Sequence, residues 1–409
     1  MKLWVKFLIG LILGFAAAFI IPMTSQQSTA VLNFIMQIVL RFGRYMVVPL
    51  LFFAVMNSTF QLSRSKNFLK ASLWTISTIL LSSLLLTFIG TISIIFIHLP
   101  RIPISVEKVT AVDSIDIKNM LLQLLPFSSF NAIQEGTFLL PAFILACVVG
   151  AGSSVDQTAS KPVILLTESL YKLFYTLMEF FTELFSIGMI AVSCYWFVTY
   201  REIFSTGIFT PLLLMLTADF FIVAFGIYPL LLHYICKDKR PYRVIYASIS
   251  SILVSFFTSD TNLTLQINMR HSKESLGVHD QINGFVQPLF SIFSRGGSAL
   301  IVTISFILIW RSYSSLSISV TDILWIAMTS FGLSFLLSGF SSGGTFIALT
   351  VLCTLYSRGF ESGYLLLKPA AGIICSFAAA FDAVTAMYGT YAVGVKMKEI
   401  HHLPVKSFI

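Results

Sequence analysis

Long apolar runs separated by short polar segments dominate the chain. Residues 4–22, 31–60, 71–99, 163–200, 208–236, 285–310 and 364–395 are each apolar over enough positions to cross a bilayer as a helix, which takes about 20 residues. Residues 139–149 are apolar but short. Residues 163–200 exceed what one span needs and carry Glu168, Lys172, Glu179 and Glu183, which leaves room for an interfacial helix at their start. Residues 100–126 are polar, mix Glu107, Lys108, Asp113, Asp116 and Lys118, and predict an external loop.

Two later segments do not fit plain spans. In the first, residues 249–257 lead to Thr258-Ser259-Asp260-Thr261-Asn262, then residues 263–269, then Arg270-His271-Ser272-Lys273. Each arm has under ten residues, or about 15 Å of helix, half of what a span requires. The second has arms 323–337 and 346–355 around the tip Ser338-Gly339-Phe340-Ser341-Ser342-Gly343-Gly344-Thr345. Both patterns predict re-entrant helical hairpins with polar tips at mid-membrane. Non-helical backbone is tolerated there only where it is buried in protein or lines a cavity. The alternative is two ordinary spans with polar kinks. Hairpins entering from opposite sides, each followed by a span, form an inverted repeat, the sequence pointer to a secondary transporter with its site between the tips.

Composition supports the membrane class. Of 409 residues, 56% are hydrophobic and only 11% charged, against about 25% charged in soluble domains. Soluble, disordered, collagen-like and disulfide-scaffold classes are excluded. The net charge of +8 comes largely from short loops: Arg64, Lys66 and Lys70; Lys237, Lys239, Arg240 and Arg243; Lys396, Lys398 and Lys406. That placement follows the positive-inside rule and argues against nucleic acid as a partner. It predicts both termini in the cytoplasm, an even number of spans, and residence in the cell's inner or plasma membrane. Lys2 and Lys6 precede the first span with no small-residue cleavage site after it, as in a signal anchor. The five cysteines lie in apolar stretches without CxxC spacing and are expected to be buried, inert thiols. With no HExxH and no nucleophile–base pair at motif spacing, no enzyme, cofactor or resident metal is expected. A channel or a sensor derived from a transporter remains a rival class.

Several motifs carry a more specific resemblance. Met46-Val47-Val48-Pro49-Leu50-Leu51-Phe52-Phe53 is similar to the second-span signature of the dicarboxylate/amino acid:cation symporter family, the glutamate transporter homologues. Asn131-Ala132-Ile133-Gln134-Glu135-Gly136 resembles the opening of that family's fourth span. Phe257-Thr258 with residues 265–270 resembles its first hairpin, and Pro288-Leu289 with Gly297-Ser298-Ala299-Leu300 its seventh span. The resemblance covers almost the whole chain in order. It implies an all-α protein of about eight spans and two oppositely oriented hairpins, a homotrimer in the lipid bilayer, and an elevator-type movement of a small-molecule solute. Residues 1–245 would be mainly scaffold and trimer contact, with the third and sixth spans (71–99 and 208–236) joining the transport domain. Residues 246–400 would form the transport core and residues 401–409 a cytoplasmic tail.

The departures from the family are chemical. Where its seventh span carries Asn-Met-Asp-Gly-Thr and helps bind sodium, this chain has Ser294-Arg295-Gly296-Gly297-Ser298. A permanent cation replaces the oxygen ligands a sodium site needs. Arg295 is therefore expected to take the electrostatic role of a bound ion, partnered by Asp260 or Asp382. The plainer alternative has it bonded to backbone carbonyls at a hairpin end. Ser294, Arg295, Gly296 and Asp382 form the candidate ion-coupling or ion-replacing set, with sodium or a proton as coupling ion. Candidate solute-binding residues are Asp260, Thr261, Asn262, Ser298, Gly343, Gly344, Thr345, Asp382 and Thr385. The last span carries Asp382 and no arginine between residues 364 and 395, so one cation would face two carboxylates. That balance favours a neutral or cationic amino acid. An acidic amino acid or dicarboxylate remains open if Arg295 serves the substrate. The remaining polar groups have structural readings first: Asp219 in its span, Arg41 and Arg44 at headgroups, Glu179 and Glu183 in packing or trimer contacts, Lys368-Pro369 as an interfacial anchor with a kink, and His271 and His279 in a solvated loop.

Overall fold

The computed structural model describes residues 2–20, 26–103, 128, 139–314, 318–336, 340, 343–401, 403–405 and 408–409. The motif at residues 131–136 and most of the polar segment 100–126 lie outside the described residues. Among the described residues the fold is helical, with a single antiparallel bridge between Val278 and Ile400 and no strand. In chain order the helices are α1 (Leu3–Ile20), α2 (Gln26–Arg44), α3 (Val47–Arg64), α4 (Phe68–Phe96), α5 (Leu139–Val155), α6 (Lys161–Thr206), α7 (Thr210–Phe221), α8 (Tyr228–Cys236), α9 (Tyr242–Thr258), α10 (Thr261–Glu274), α11 (Asp280–Phe293), α12 (Gly296–Tyr313), α13 (Val320–Leu336), α14 (Gly344–Tyr356) and α15 (Ala371–Met397). A π-helical turn, Ile222–Ile227, joins α7 to α8.

Helix is the local solution because a backbone surrounded by lipid must satisfy its hydrogen bonds internally. Starts and stops follow from residue chemistry. Proline occupies the first turn of α6 and α7, where its missing N–H costs nothing, while Pro229 follows the π-helical turn inside a continuous helical run. Gly207 ends α6 at φ +69, the left-handed stop that glycine makes easily. Among the described residues seven stretches are long and apolar enough to span a membrane, counting Thr29–Arg64 and Asp280–Tyr313 as single stretches. The 17-residue Leu139–Val155 sits at the lower limit of span length.

Three elements differ from the hydropathy pattern. The run at 163–200 is one unbroken 46-residue helix, α6, with no separate interfacial piece. The run at 31–60 is two helices, α2 and α3, divided at Tyr45-Met46. The run at 285–310 is also two helices, α11 and α12, divided at Ser294-Arg295. The flanks of the second break are apolar, so hydropathy does not show it, whereas Arg41 and Arg44 directly precede the first.

α12 and α15 are buried almost all round, and α4 packs against both. α9, α10, α11 and α14 complete this inner group. The earlier helices bury one stripe and leave large apolar residues such as Leu81, Phe88, Phe180 and Leu214 exposed, a surface suited to lipid rather than water. After α15 the chain is pinned rather than trailing. His279 N–H donates to Glu399 O at 3.0 Å, His401 N–H donates to Gly277 O at 2.8 Å, and Phe408 is buried.

α1 lies along α6 through Gly10 and Gly14, spaced one turn apart. A Cβ on Gly14 would fall 1.9 Å from Ser193 Oγ and 2.3 Å from Ile190 O, and one on Gly10 would fall 2.6 Å from Ser186 O. Small residues at this spacing let two membrane helices approach closely. Gly14→Val should therefore lower stability by about 1–3 kcal/mol through overpacking, seen as a melting temperature several degrees lower in detergent. Gly152→Ala, whose Cβ meets nothing within 4 Å, should melt like the parent. Equal melting of the two variants would contradict this packing.

Candidate functional site

The turn between α9 and α10 is built by two adjacent residues. Ser259 ends α9 in the left-handed region at φ +53, and Asp260 is extended. The Asp260 carboxylate then caps α10, accepting from Asn262 N–H at 2.9 Å and Leu263 N–H at 3.3 Å. A carboxylate in this place satisfies donors that a helix start leaves unpaired. Its second oxygen is bound by Arg44 Nε, from the end of α2. Asp260 is fully buried while Arg44 is 38% exposed. Arg44 thus pairs with protein, not with lipid headgroups as the sequence suggested, because the end of α2 is brought against this tip.

The break at Ser294-Arg295 gives α12 a free start inside the protein. Gly297 N–H donates to Asp382 Oδ1 at 2.8 Å, and Ser298 Oγ donates to Asp382 Oδ2 at 3.3 Å. Ser298 Oγ also lies 3.0 Å from Thr345 Oγ1 at the start of α14. The approach requires glycine at 297, where a Cβ would sit 2.4 Å from Phe381 Cβ and 2.9 Å from Asp382 Oδ1. Arg295 is buried, with its guanidinium bonded to Thr261 Oγ1 and, at 2.9 Å, to Phe340 O. Among the described residues it makes no ion pair with Asp260 or Asp382. Asp260 is already held by Arg44, and Asp382 by the start of α12.

These parts border a small, half-open polar cavity of about 20 Å³, room for about one water and far below the roughly 300–1,000 Å³ usual for ligand pockets, so an amino acid fits only when the tips move apart. Thr261, Arg295, Ser298, Gly343, Gly344, Thr345 and Asp382 line it, as predicted residues brought together from four chain segments. Ser259, Phe340, Cys375 and Ala379 join them. Cys375 and Ala379 stand seven and three residues before Asp382, a helical spacing that could have found them.

The other candidates lie elsewhere. Asp260 and Asn262 are buried in the cap of α10 and do not line the cavity. Thr385, one helical turn past Asp382, does not line the cavity; its hydroxyl bonds Tyr228 Oη at 2.6 Å and donates to Phe381 O at 2.7 Å. Ser294 faces an adjoining space with Thr264, Asn268 and Ser291, which Thr261 and Asp382 also line, and Gly296 packs against the backbone of Ser83. His271 is buried within α10, which continues to Glu274 instead of ending in a loop at Arg270, while His279 is exposed. Glu183 pairs with Lys6 and Arg270, joining α1, α6 and α10. Asp219 accepts from Ser93 Oγ at 2.7 Å, away from the cavity.

The double role of Asp260 has a measurable signature. Asp260→Ala should lower stability by about 1–2 kcal/mol through loss of the helix cap. Asp260→Asn keeps a capping oxygen and should recover part of that loss in the same thermal melt. Identical melting of the two variants would show that the cap contributes nothing.

The model of the sodium:dicarboxylate symporter family matches residues 3–395. An uncharacterized symporter of Haemophilus influenzae is 22% identical over 346 residues, 77% of this chain and 75% of that protein. The serine/threonine transporter SstT of Acinetobacter baylyi is 23% identical over 264 residues, 64% of this chain and 62% of its own length. The neutral amino acid transporter B(0) of Oryctolagus cuniculus is 25% identical over 122 residues, 30% of this chain and 22% of its own. With that match running over nearly its full length, the chain belongs to the sodium:dicarboxylate symporter family and is a membrane transporter rather than an enzyme.

Proposed function

We propose that this protein is a secondary active transporter of a small neutral amino acid, working by alternating access. The observation that carries the reading is the cavity wall, where one buried cation, Arg295, and one buried carboxylate, Asp382, face a common space. A zwitterion matches that balance. Its carboxylate meets Arg295, Ser298, Thr345 and the start of α14, where helix N-termini favour anions. Its ammonium meets Asp382. Sequence alone set two carboxylates against one cation, but the Arg44 pair neutralises Asp260 outside the cavity. That removes the basis for a cationic solute. A second carboxylate on the solute would need a second cation, and an unpaired buried charge is strongly unfavourable. Two relatives bear names for serine and threonine and for neutral amino acids, which agrees with this choice.

Coupling follows from the same arginine. In this reading the guanidinium is a built-in cation at the string where family members bind sodium, so solute binding does not need sodium there. The wider mechanism is taken from the family: α9–α10 and α13–α14 act as re-entrant hairpins of opposite entry, residues 246–400 with the third and sixth spans move as an elevator, and the protein is a homotrimer with both termini cytoplasmic. A second reading, an acidic solute held by Arg295, has one observation in its favour. The Arg295 Nε is buried without a hydrogen-bond partner.

Thermal stabilisation of the purified protein separates the readings. Serine, threonine and alanine should raise the melting temperature equally with and without sodium, and aspartate and succinate should not. Stabilisation by aspartate alone, or only with sodium, would overturn the proposal. Asp382→Asn should weaken amino-acid binding at least tenfold, or about 1.4 kcal/mol, consistent with loss of one charged hydrogen bond. Arg295→Met should do the same, and sodium should not restore it.

A further inference from the structure

Away from the polar cavity, an apolar groove runs between α4, α8 and α15. Trp74, Ile235 and Lys396 border one end, and Leu85, Tyr228 and Thr385 the other. Trp74 and Leu85 are eleven residues apart, as are Thr385 and Lys396, which is about 16 Å of helix. That length equals half of a hydrocarbon core about 30 Å thick, the depth of one leaflet. At the inner end the Tyr228 and Thr385 hydroxyls bond to each other at 2.6 Å, and Thr385 also donates to Phe381 O, so both are already partnered.

The outer end opens onto charge. Cys236 lines both the groove and an adjoining cleft walled by Lys237, Lys239, Arg240, Arg243 and Lys398. The acid in that wall, Asp238, is taken by Arg243 at 3.5 Å and by Tyr391 Oη at 2.7 Å. Among the described residues Lys237, Lys239 and Lys398 make no ion pair. Lys237 ends α8 at φ +54 and Lys398 ends α15 at φ +60. Helix stops of this kind ordinarily use glycine or asparagine, and lysine adopts the left-handed region at a cost. The chain keeps a lysine at both of these neighbouring stops. Between groove and cleft stands Lys396, whose Nζ donates to Ile235 O at 2.8 Å and lies 5.7 Å from the Trp74 ring centre.

We propose that groove and cleft together hold one anionic phospholipid, with an acyl chain along α4, α8 and α15 and the phosphate on Lys237, Lys239 and Lys398. A tail-length apolar channel ending in uncompensated lysines matches an amphiphile with an anionic head. A zwitterionic lipid would leave the lysines unmatched, and a free phosphate would leave the groove unfilled. Basic clusters at a membrane surface attract anionic lipid in general; here the joined groove makes the contact a site rather than a field. The bound lipid bridges α15, which carries Asp382, to α4 and α8.

The test uses delipidated full-length protein in detergent, read by melting temperature and by lipid retained in native mass spectrometry. Phosphatidylglycerol should raise melting by several degrees and remain bound at one molecule per chain. Phosphatidylcholine with the same acyl chains, and soluble glycerol phosphate, should do neither. Lys237→Gln combined with Lys239→Gln and Lys398→Gln should remove the preference for phosphatidylglycerol. Ala392→Phe from α15, and separately Ser77→Phe from the exposed side of α4, should abolish retention, so misfolding of one variant leaves the other. Equal stabilisation by phosphatidylcholine, full effect from glycerol phosphate, or retained lipid in the folded groove or charge variants would overturn the proposal.

Discussion

The site depends on one contact, the Asp382 carboxylate held against the start of α12. A helix broken inside a membrane protein exposes N–H groups that lipid cannot satisfy. Gly297 N–H and the Ser298 hydroxyl meet Asp382, so a carboxylate on α15 stabilises a break that hydropathy alone would forbid. The break in turn turns Arg295 into the space between Thr261 and Phe340. Without it, residue 295 would continue a helix and its side chain would be carried round to another face. The need to satisfy a broken backbone thereby places a cation and an anion on one small cavity.

A second constraint links that cavity to the first part of the chain. Asp260 serves the α10 helix start and Arg44 at once. The ion pair joins residues 216 positions apart and ties α2 to the tip of α9–α10. Removing one partner of such a pair leaves the buried carboxylate uncompensated, which costs more than the pair itself contributes. Any displacement of this tip relative to α2 must break the pair or carry Arg44 with it. The pair also keeps the charge of Asp260 out of the cavity's balance, which is why the solute inferred from the structure is neutral where the sequence allowed a cationic one.

Much of the fold was legible because lipid leaves few alternatives. Apolar runs of span length become helices, and prolines and Gly207 mark ends by chemistry visible in the sequence. The polar strings at 258–262 and 294–298 were legible as exceptions within apolar runs. The break at Ser294-Arg295 was not, since its flanks on both sides are as apolar as a continuous span. Arg44 was missed because its partner is remote in sequence and nothing local marks it. Thr385 is one turn from Asp382, but its hydroxyl is held by Tyr228, a partner that nothing local in the sequence marks. Three residues past Asp382, it faces the groove beside Tyr228. Cys375 and Ala379, by contrast, were accessible to a period argument that a search for polar residues alone passes over.

The most direct test of the central claim is solute counterflow in proteoliposomes, with unlabelled serine inside and labelled serine outside in sodium-free buffer. The account predicts saturable counterflow that persists without sodium and is lost in Asp382→Asn. Absence of counterflow in the parent protein, or counterflow that appears only when sodium is added, would contradict it.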